Sequence, residues 1–299
     1  MKQISTDVPA VTIGICTLNC HDTIAETLNS ILTLIYPTDK MQVVLVDGKS
    51  KDDTLKIAAE ILGHSKLNWQ IATDDGRGLG YARQLIVELS KGVYVAFVDS
   101  DQQLHPDFLH NALEHLKTGS KVVAVRGVQG LTYNLPMSGA LENYAMYIAE
   151  HEAQLEASVI NFALGGSMFK KDAIIEAGGF REMFRFAAED TDLAARLNRL
   201  GYKIHNLHSA VFYHYSRPTW KALFRQYRTW GCYRKTIEKT YGEETRSNGI
   251  LNLALAISCT LGSARTTFEA YRATKDKRCV LLPLNSAFKR SAWTIGYLF

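Results

Sequence analysis

The stretch Val93-Tyr94-Val95-Ala96-Phe97-Val98-Asp99-Ser100-Asp101 decides how this chain folds. Six apolar residues rich in β-branched and aromatic side chains read as a buried strand, and the strand ends on two carboxylates one residue apart. The same pattern recurs upstream. Residues 11–16 form a β-branched apolar run, and residues 22–34 carry helical periodicity with Ile24, Leu28, Ile31 and Leu32 on one face. Then come a strand at 42–46, a helix at 53–62, a short strand at 70–73 and a helix at 80–89. Alternation at this spacing predicts βαβ units in an α/β fold with a mostly parallel sheet flanked by helices. Ligands of such sheets sit beyond the carboxyl ends of the strands, where polar clusters recur at 17–19, 47–53, 74–80 and 99–103.

Downstream, the pattern predicts a helix at 106–116, a strand at 121–128, a long helix of mixed polarity at 139–157 and a strand-like segment from Gly165 to Phe169. A helix at 189–200 is stopped by Gly201, and a last strand runs over 203–213. A chain of 299 residues with 46% hydrophobic and 21% charged residues is an ordinary folded protein, which excludes disordered, collagenous and coiled-coil classes. The net charge of +4 conceals a split, because residues 217–299 carry +10 and the preceding residues −6. The expected division is a catalytic domain at 1–216 and a basic, aromatic, helical C-terminal region at 217–299. Cys16, Cys20, Cys232, Cys259 and Cys279 form no C-x-x-C pair, so neither a disulfide framework nor a zinc site is indicated. The N-terminal residues lack the apolar stretch of a secretory signal, so the body of the protein is expected in the cytoplasm.

Asp99-Ser100-Asp101 offers carboxylate oxygens to a divalent cation such as Mg²⁺ or Mn²⁺, which keeps waters and shares the remaining positions with substrate phosphates. A second acidic group, Glu189-Asp190 with Asp192, opens the helix at 189–200. Complementing the helix dipole needs fewer than three acids, and a carboxylate near the crevice is able to take a proton from a substrate hydroxyl.

With these residues in view, the chain resembles the family 2 glycosyltransferases of GT-A fold over about residues 9–235. The run 11–19, VTIGICTLN, is similar to that family's first strand and nucleotide turn, with Thr17 and Asn19 at matching positions. Residues 46–54, VDGKSKDDT, are similar to its V-D-x-G-S-x-D-x-T run, in which the first Asp, here Asp47, binds the nucleobase. Gly78 to Arg83 is similar to its G-x-x-x-A-R element, which puts Arg83 near the nucleotide. Asp99 and Asp101 fall on its D-x-D, and Gly178-Gly179-Phe180 with Glu189-Asp190 falls on its G-G-F and E-D pair.

The resemblance implies metal-dependent, inverting transfer from a nucleoside-diphosphate sugar. Asp101 would hold the metal and Asp99 would touch the ribose, while Asp190, beside Glu189, would act as base. His214 ends the last strand, ordinarily a packing or capping position; the resemblance gives it a place in the metal shell or at the phosphates. Two departures stand out. Lys49 occupies the usual place of a Gly, and Gln226-Tyr227-Arg228-Thr229-Trp230 misses the Q-x-x-R-W of processive members, which implies a non-processive enzyme.

Beyond Arg217, cationic residues interleave with Trp220, Phe224, Tyr227, Trp230 and Tyr233. No nucleic-acid module accompanies them. The stripe suits a peripheral contact at the cytoplasmic face of a membrane, or a helical appendage packed on the catalytic domain or a second subunit. The apolar run at 250–261 is too short to span a bilayer. Membrane contact would suit a glycan acceptor that is lipid-linked, such as a polysaccharide precursor. Two other functions remain open, transfer to a polyprenyl or dolichyl phosphate and a non-catalytic nucleotide-binding scaffold. Sugar, base, acceptor and oligomeric state are not legible.

Overall fold

A computed structural model describes residues 10–119, 121–157, 159, 162–242 and 263–299; the apolar run at 250–261 lies outside the described residues. The first half alternates as the sequence predicts: β1 (Val11–Thr17), α1 (Ile24–Leu32), β2 (Met41–Asp47), α2 (Thr54–Gly63), β3 (Asn68–Thr73), α3 (Leu79–Leu89) and β4 (Tyr94–Asp99). There follow β5 (Gln102–Leu104), α4 (Phe108–Leu116), β6 (Val122–Gln129), α5 (Met137–His151), β7 (Ser167–Lys170), α6 (Lys171–Glu176), α7 (Glu189–Arg199) and β8 (Lys203–His214). The chain closes with α8 (Trp220–Tyr241), a helical run at 263–274 (α9) and α10 (Leu282–Leu298).

The eight strands form one sheet in the order β3-β2-β1-β4-β7-β6-β8-β5. β1 to β4 are parallel, which the long helical crossovers require. Register aligns their carboxyl ends, with Thr17 opposite Asp47 and Cys16 opposite Asp99. The sheet is covered on both faces. Ile24, Leu28, Ile31, Leu62 and Phe108 pack with Ile13, Ile15 and Leu45 on one side; Ile86, Phe180, Leu193 and Leu197 pack with Val44, Val46 and Phe97 on the other. Two-sided burial is why these strands read as apolar runs, with the buried Thr12 and Gln42 hydrogen-bonded to each other.

Pairing is mostly parallel, as the sequence suggests, with β6 also parallel to β8, and the rest of the sheet is mixed. β7 runs antiparallel to both β4 and β6, and β5 antiparallel to β8. β5 has only three residues and no periodicity to reveal it, yet its pairing sets Gln102 opposite His214. The predicted helix at 139–157 instead begins at Met137 and ends at His151.

α8 and α10 lie backbone against backbone. A side chain at Gly231 would strike the Trp293 carbonyl, and one at Gly296 the Arg228 carbonyl, so only glycine permits this approach. A buried triad joins them to α5, with Glu142 accepting from Tyr227 Oη (2.5 Å) and from Lys289 Nζ (2.5 Å). Among the described residues no helix is long and apolar enough to cross a membrane.

Candidate active site

The parallel strand ends build one side of a crevice. Asp47, 2% exposed at the end of β2, accepts at Oδ1 from Thr17 Oγ1 (3.0 Å) and Ser50 Oγ (2.6 Å), and at Oδ2 from the Ser50 amide (2.8 Å). Asn19 Oδ1 accepts from the Lys51 amide (2.8 Å), and the Asn19 amide donates to Ser50 Oγ (2.9 Å). The β1 and β2 loops are thereby zipped into one wall. Lys49 keeps the left-handed backbone that a glycine would take, φ 66°, with its exposed amine 4.0 Å from Asp75 Oδ1.

Arg83 enters from α3 and is buried. Its guanidinium donates to Glu189 Oε1 and to Asp99 Oδ1 (3.2 Å), so one cation binds the end of β4 to the start of α7. The Asp99 amide donates to Gln102 Oε1 (3.1 Å). Gly165 leaves room for this pair, because a Cβ there would push on Asp99 Oδ2 and the Gln102 amide.

Glu189 and Asp190 open α7 after Ala188, which is forced into the left-handed region at φ 73°. Burial pushes the Glu189 carboxyl up to about 7; Arg83 opposes the shift and Asp190 adds to it. Burial also raises Asp190, against the pull of Arg83 and of the Thr191 amide, which donates to Oδ1 at 2.7 Å. Glu189 Oε2 is buried with no hydrogen-bond partner. The third acid of the cluster faces elsewhere. Asp192 is fully buried and pairs with Arg181 (3.2 Å), Arg196 (2.5 Å) and Tyr241 Oη (2.5 Å), where it ties α7 to α8.

Asp101 lies between two cationic groups. Oδ1 is 3.4 Å from His214 Nε2 and Oδ2 is 2.9 Å from Arg217 NH1. Burial would raise its pKa, but His214 and Arg217 outweigh that and hold it near 2. Burial opposes a charge on His214, and the Asp101 carboxylate overcomes it to raise the imidazole's pKa. No cluster of three or more His, Cys, Asp or Glu poised around a metal occurs among the described residues. A carboxylate with a neighbouring imidazole nevertheless fits Mn²⁺ or Mg²⁺, hard cations that take few protein ligands when substrate phosphates complete the shell.

Thus Thr17, Asn19 and Asp47 line one wall, Arg83, Asp99, Glu189 and Asp190 form a connected group, and Asp101 with His214 sits one residue beyond Ser100. Sequence reasoning missed Gln102, Ser50 and Arg217 as parts of this surface. For Arg217 a signal existed, a cation three residues after His214 at the end of a strand.

The family model for glycosyl transferase family 2 matches residues 12–189. The glycosyltransferase AglE of Haloferax volcanii is 27% identical over 229 residues, covering 75% of this chain and 73% of that protein. The poly-β-1,6-N-acetyl-D-glucosamine synthase of Staphylococcus aureus is 24% identical over 66% of this chain, which spans only 48% of that synthase. Among solved structures, the mannosyltransferase PcManGT from Pyrobaculum calidifontis, in complex with GDP-Man and Mn²⁺, superposes with a TM-score of 0.70 at 21% identity, covering 98% of this chain and 88% of that one. S. aureus TarS in complex with UDP-GlcNAc superposes at 0.55 with 17% identity, covering 93% and 79%. Both share the GT-A architecture of mixed sheet and flanking helices.

Proposed function

The chain belongs to glycosyl transferase family 2, and from that premise we propose that this glycosyltransferase moves a sugar from a nucleoside-diphosphate sugar to a hydroxyl acceptor with inversion. The observation that carries the reading is Arg83, buried between Asp99 and Glu189, which sets the strand-end carboxylates and the acid pair in one crevice. Asp47, aimed by Thr17 and Ser50, takes the base of the nucleotide, Asn19 shapes the same wall, and Asp99 takes the ribose. Asp101 and His214 would hold Mn²⁺ or Mg²⁺. Such a cation, when bound, neutralises charge on the departing diphosphate.

Asp190 takes the proton of the acceptor hydroxyl as it attacks the anomeric carbon from the face opposite the diphosphate. A carboxylate whose pKa is raised by burial is the stronger base for that step. Glu189 holds Arg83 in place. An ionised phosphate acceptor would need no base, so the acid pair favours a hydroxyl over a polyprenyl phosphate. Single transfer is supported by the 226–230 run, where the arginine stands one place early for the processive pattern. The test is Asp190→Asn: release of nucleoside diphosphate should fall by about 10²- to 10⁴-fold while donor binding persists, and unchanged turnover would remove Asp190 as base.

A lipid-linked acceptor, reached by peripheral contact with an anionic membrane surface, is supported by the C-terminal helices. Phe268 (63% exposed) and Val280 (70%) line an open groove of about 720 Å³, and Leu284 (66%) is exposed next to Pro283 of its lining. Lys277 lines the groove and Lys275 stands exposed beside it, cations suited to lipid phosphates. The full chain should float with liposomes containing phosphatidylglycerol, and Val280→Asp/Leu284→Asp should stay behind. Equal flotation of the two proteins would defeat this contact.

A further inference from the structure

We infer that Arg217 is a binding residue for the donor diphosphate that works by exchanging partners at Asp101; this rests on the metal reading of Asp101 above. Two arginines touch the acids of the crevice, and they differ in kind. The Arg83 side chain is 6% exposed and committed to two carboxylates. That of Arg217 is 45% exposed and holds Asp101 Oδ2 at 2.9 Å, while Asp101 itself is 11% exposed.

The backbone around Arg217 is fixed even though its guanidinium reaches into solvent. The Tyr215 amide donates to the Asp101 carbonyl (2.8 Å), and the Arg217 carbonyl accepts from Ser138 Oγ (3.1 Å) at the start of α5. The guanidinium is therefore delivered to the crevice by an anchored stem. Its fork of donors matches two phosphate oxygens as well as a carboxylate.

A divalent cation approaching Asp101 meets this fixed positive charge and must displace it. A diphosphate approaching Arg217 meets the Asp101 carboxylate, which repels it and competes for the same donors. Each ion alone meets a partner whose charge the other residue of the pair already compensates. Arriving together, each releases the group the other needs: Asp101 trades the guanidinium for the cation while the guanidinium trades carboxylate for phosphate. Metal and nucleotide therefore bind cooperatively, and linkage makes the coupling equal in both directions.

The experiment is Mn²⁺ binding to the full chain, followed by the electron paramagnetic resonance signal of the free ion, with and without GDP or UDP. In the unaltered protein the accepted nucleotide should tighten Mn²⁺ by about 10-fold or more. Arg217→Gln, at a half-exposed position, should bind Mn²⁺ alone more tightly and lose most of that tightening; Arg217→Lys, which keeps the charge without the fork, should fall between. Asp101→Asn should bind no Mn²⁺ at this site. Arg217→Gln with unaltered Mn²⁺ affinity and undiminished coupling would overturn the inference while leaving the metal reading intact. Mn²⁺ binding that survives Asp101→Asn would overturn both.

Discussion

The two walls of the crevice hold their carboxylates in opposite ways. On the strand-end wall, Asp47 is buried but satisfied, with three donors at 2.6–3.0 Å drawn from the end of β1 and the loop after β2. On the other, Glu189 is buried with one oxygen unpaired, its pKa is driven upward, and the preceding Ala188 is held in left-handed strain. The first arrangement is what recognition needs, an acceptor fixed before the ligand arrives. The second destabilises the charged form of an acid and holds it beside Asp190, an arrangement suited to the proton transfer proposed above. On the proposed reading, stability is concentrated on the wall that takes the nucleotide and given up on the wall that takes the proton.

The strongest way to break this contrast is to remove the cation that joins the walls. Arg83→Met leaves Glu189 buried and uncompensated, and should cost about 3–5 kcal/mol in a thermal or urea melt. Adding Glu189→Leu should recover much of that loss, since an apolar pair can replace a buried ion pair. On the binding wall, Asp47→Ala strands the donors of Thr17 and Ser50 and should cost about 1–3 kcal/mol.

The contrast also predicts a pH dependence. Glu189 has a folded pKa raised to about 7, above its unfolded value, so its contribution is fully present below the unfolded pKa and is lost as pH rises through about 7. Glu189→Gln should flatten the decline in unfolding free energy between about pH 4.5 and 7; a curve parallel to that of the unaltered protein would contradict the origin assigned to the shift. The smallest effect is expected from relieving backbone strain. Lys49→Gly and Ala188→Gly, at φ 66° and 73°, should each stabilise by about 1 kcal/mol.

Legibility followed the same division. The strand-end wall could be read directly, because β1, β2 and β4 are predominantly apolar runs that end at the crevice on Thr17, Asp47 and Asp99. The acid pair was visible as acids, but not its energetics. That Asp192 turns away to Arg181, Arg196 and Tyr241, and that Arg83 spans Asp99 and Glu189, are consequences of tertiary packing between elements distant in sequence. β5 is too short to carry a period, and β7, legible as the strand-like segment at 165–169, gave no sign of its antiparallel pairing. In the C-terminal region, the aromatic and basic stripe did not reveal that Tyr227 and Lys289 spend themselves on Glu142, since pairing between helices leaves no spacing to detect. Phe268, Val280 and Leu284 stand out only once the fold shows which apolar residues remain uncovered.

The division of labour between the walls is tested most directly by one calorimetric titration, a nucleotide sugar with Mn²⁺ added to Asp190→Asn and to Asp47→Ala, each confirmed folded. The account predicts that Asp190→Asn binds the donor as the unaltered protein does and that Asp47→Ala loses binding by about 10-fold or more. Undiminished binding by Asp47→Ala, with binding lost in Asp190→Asn, would contradict it.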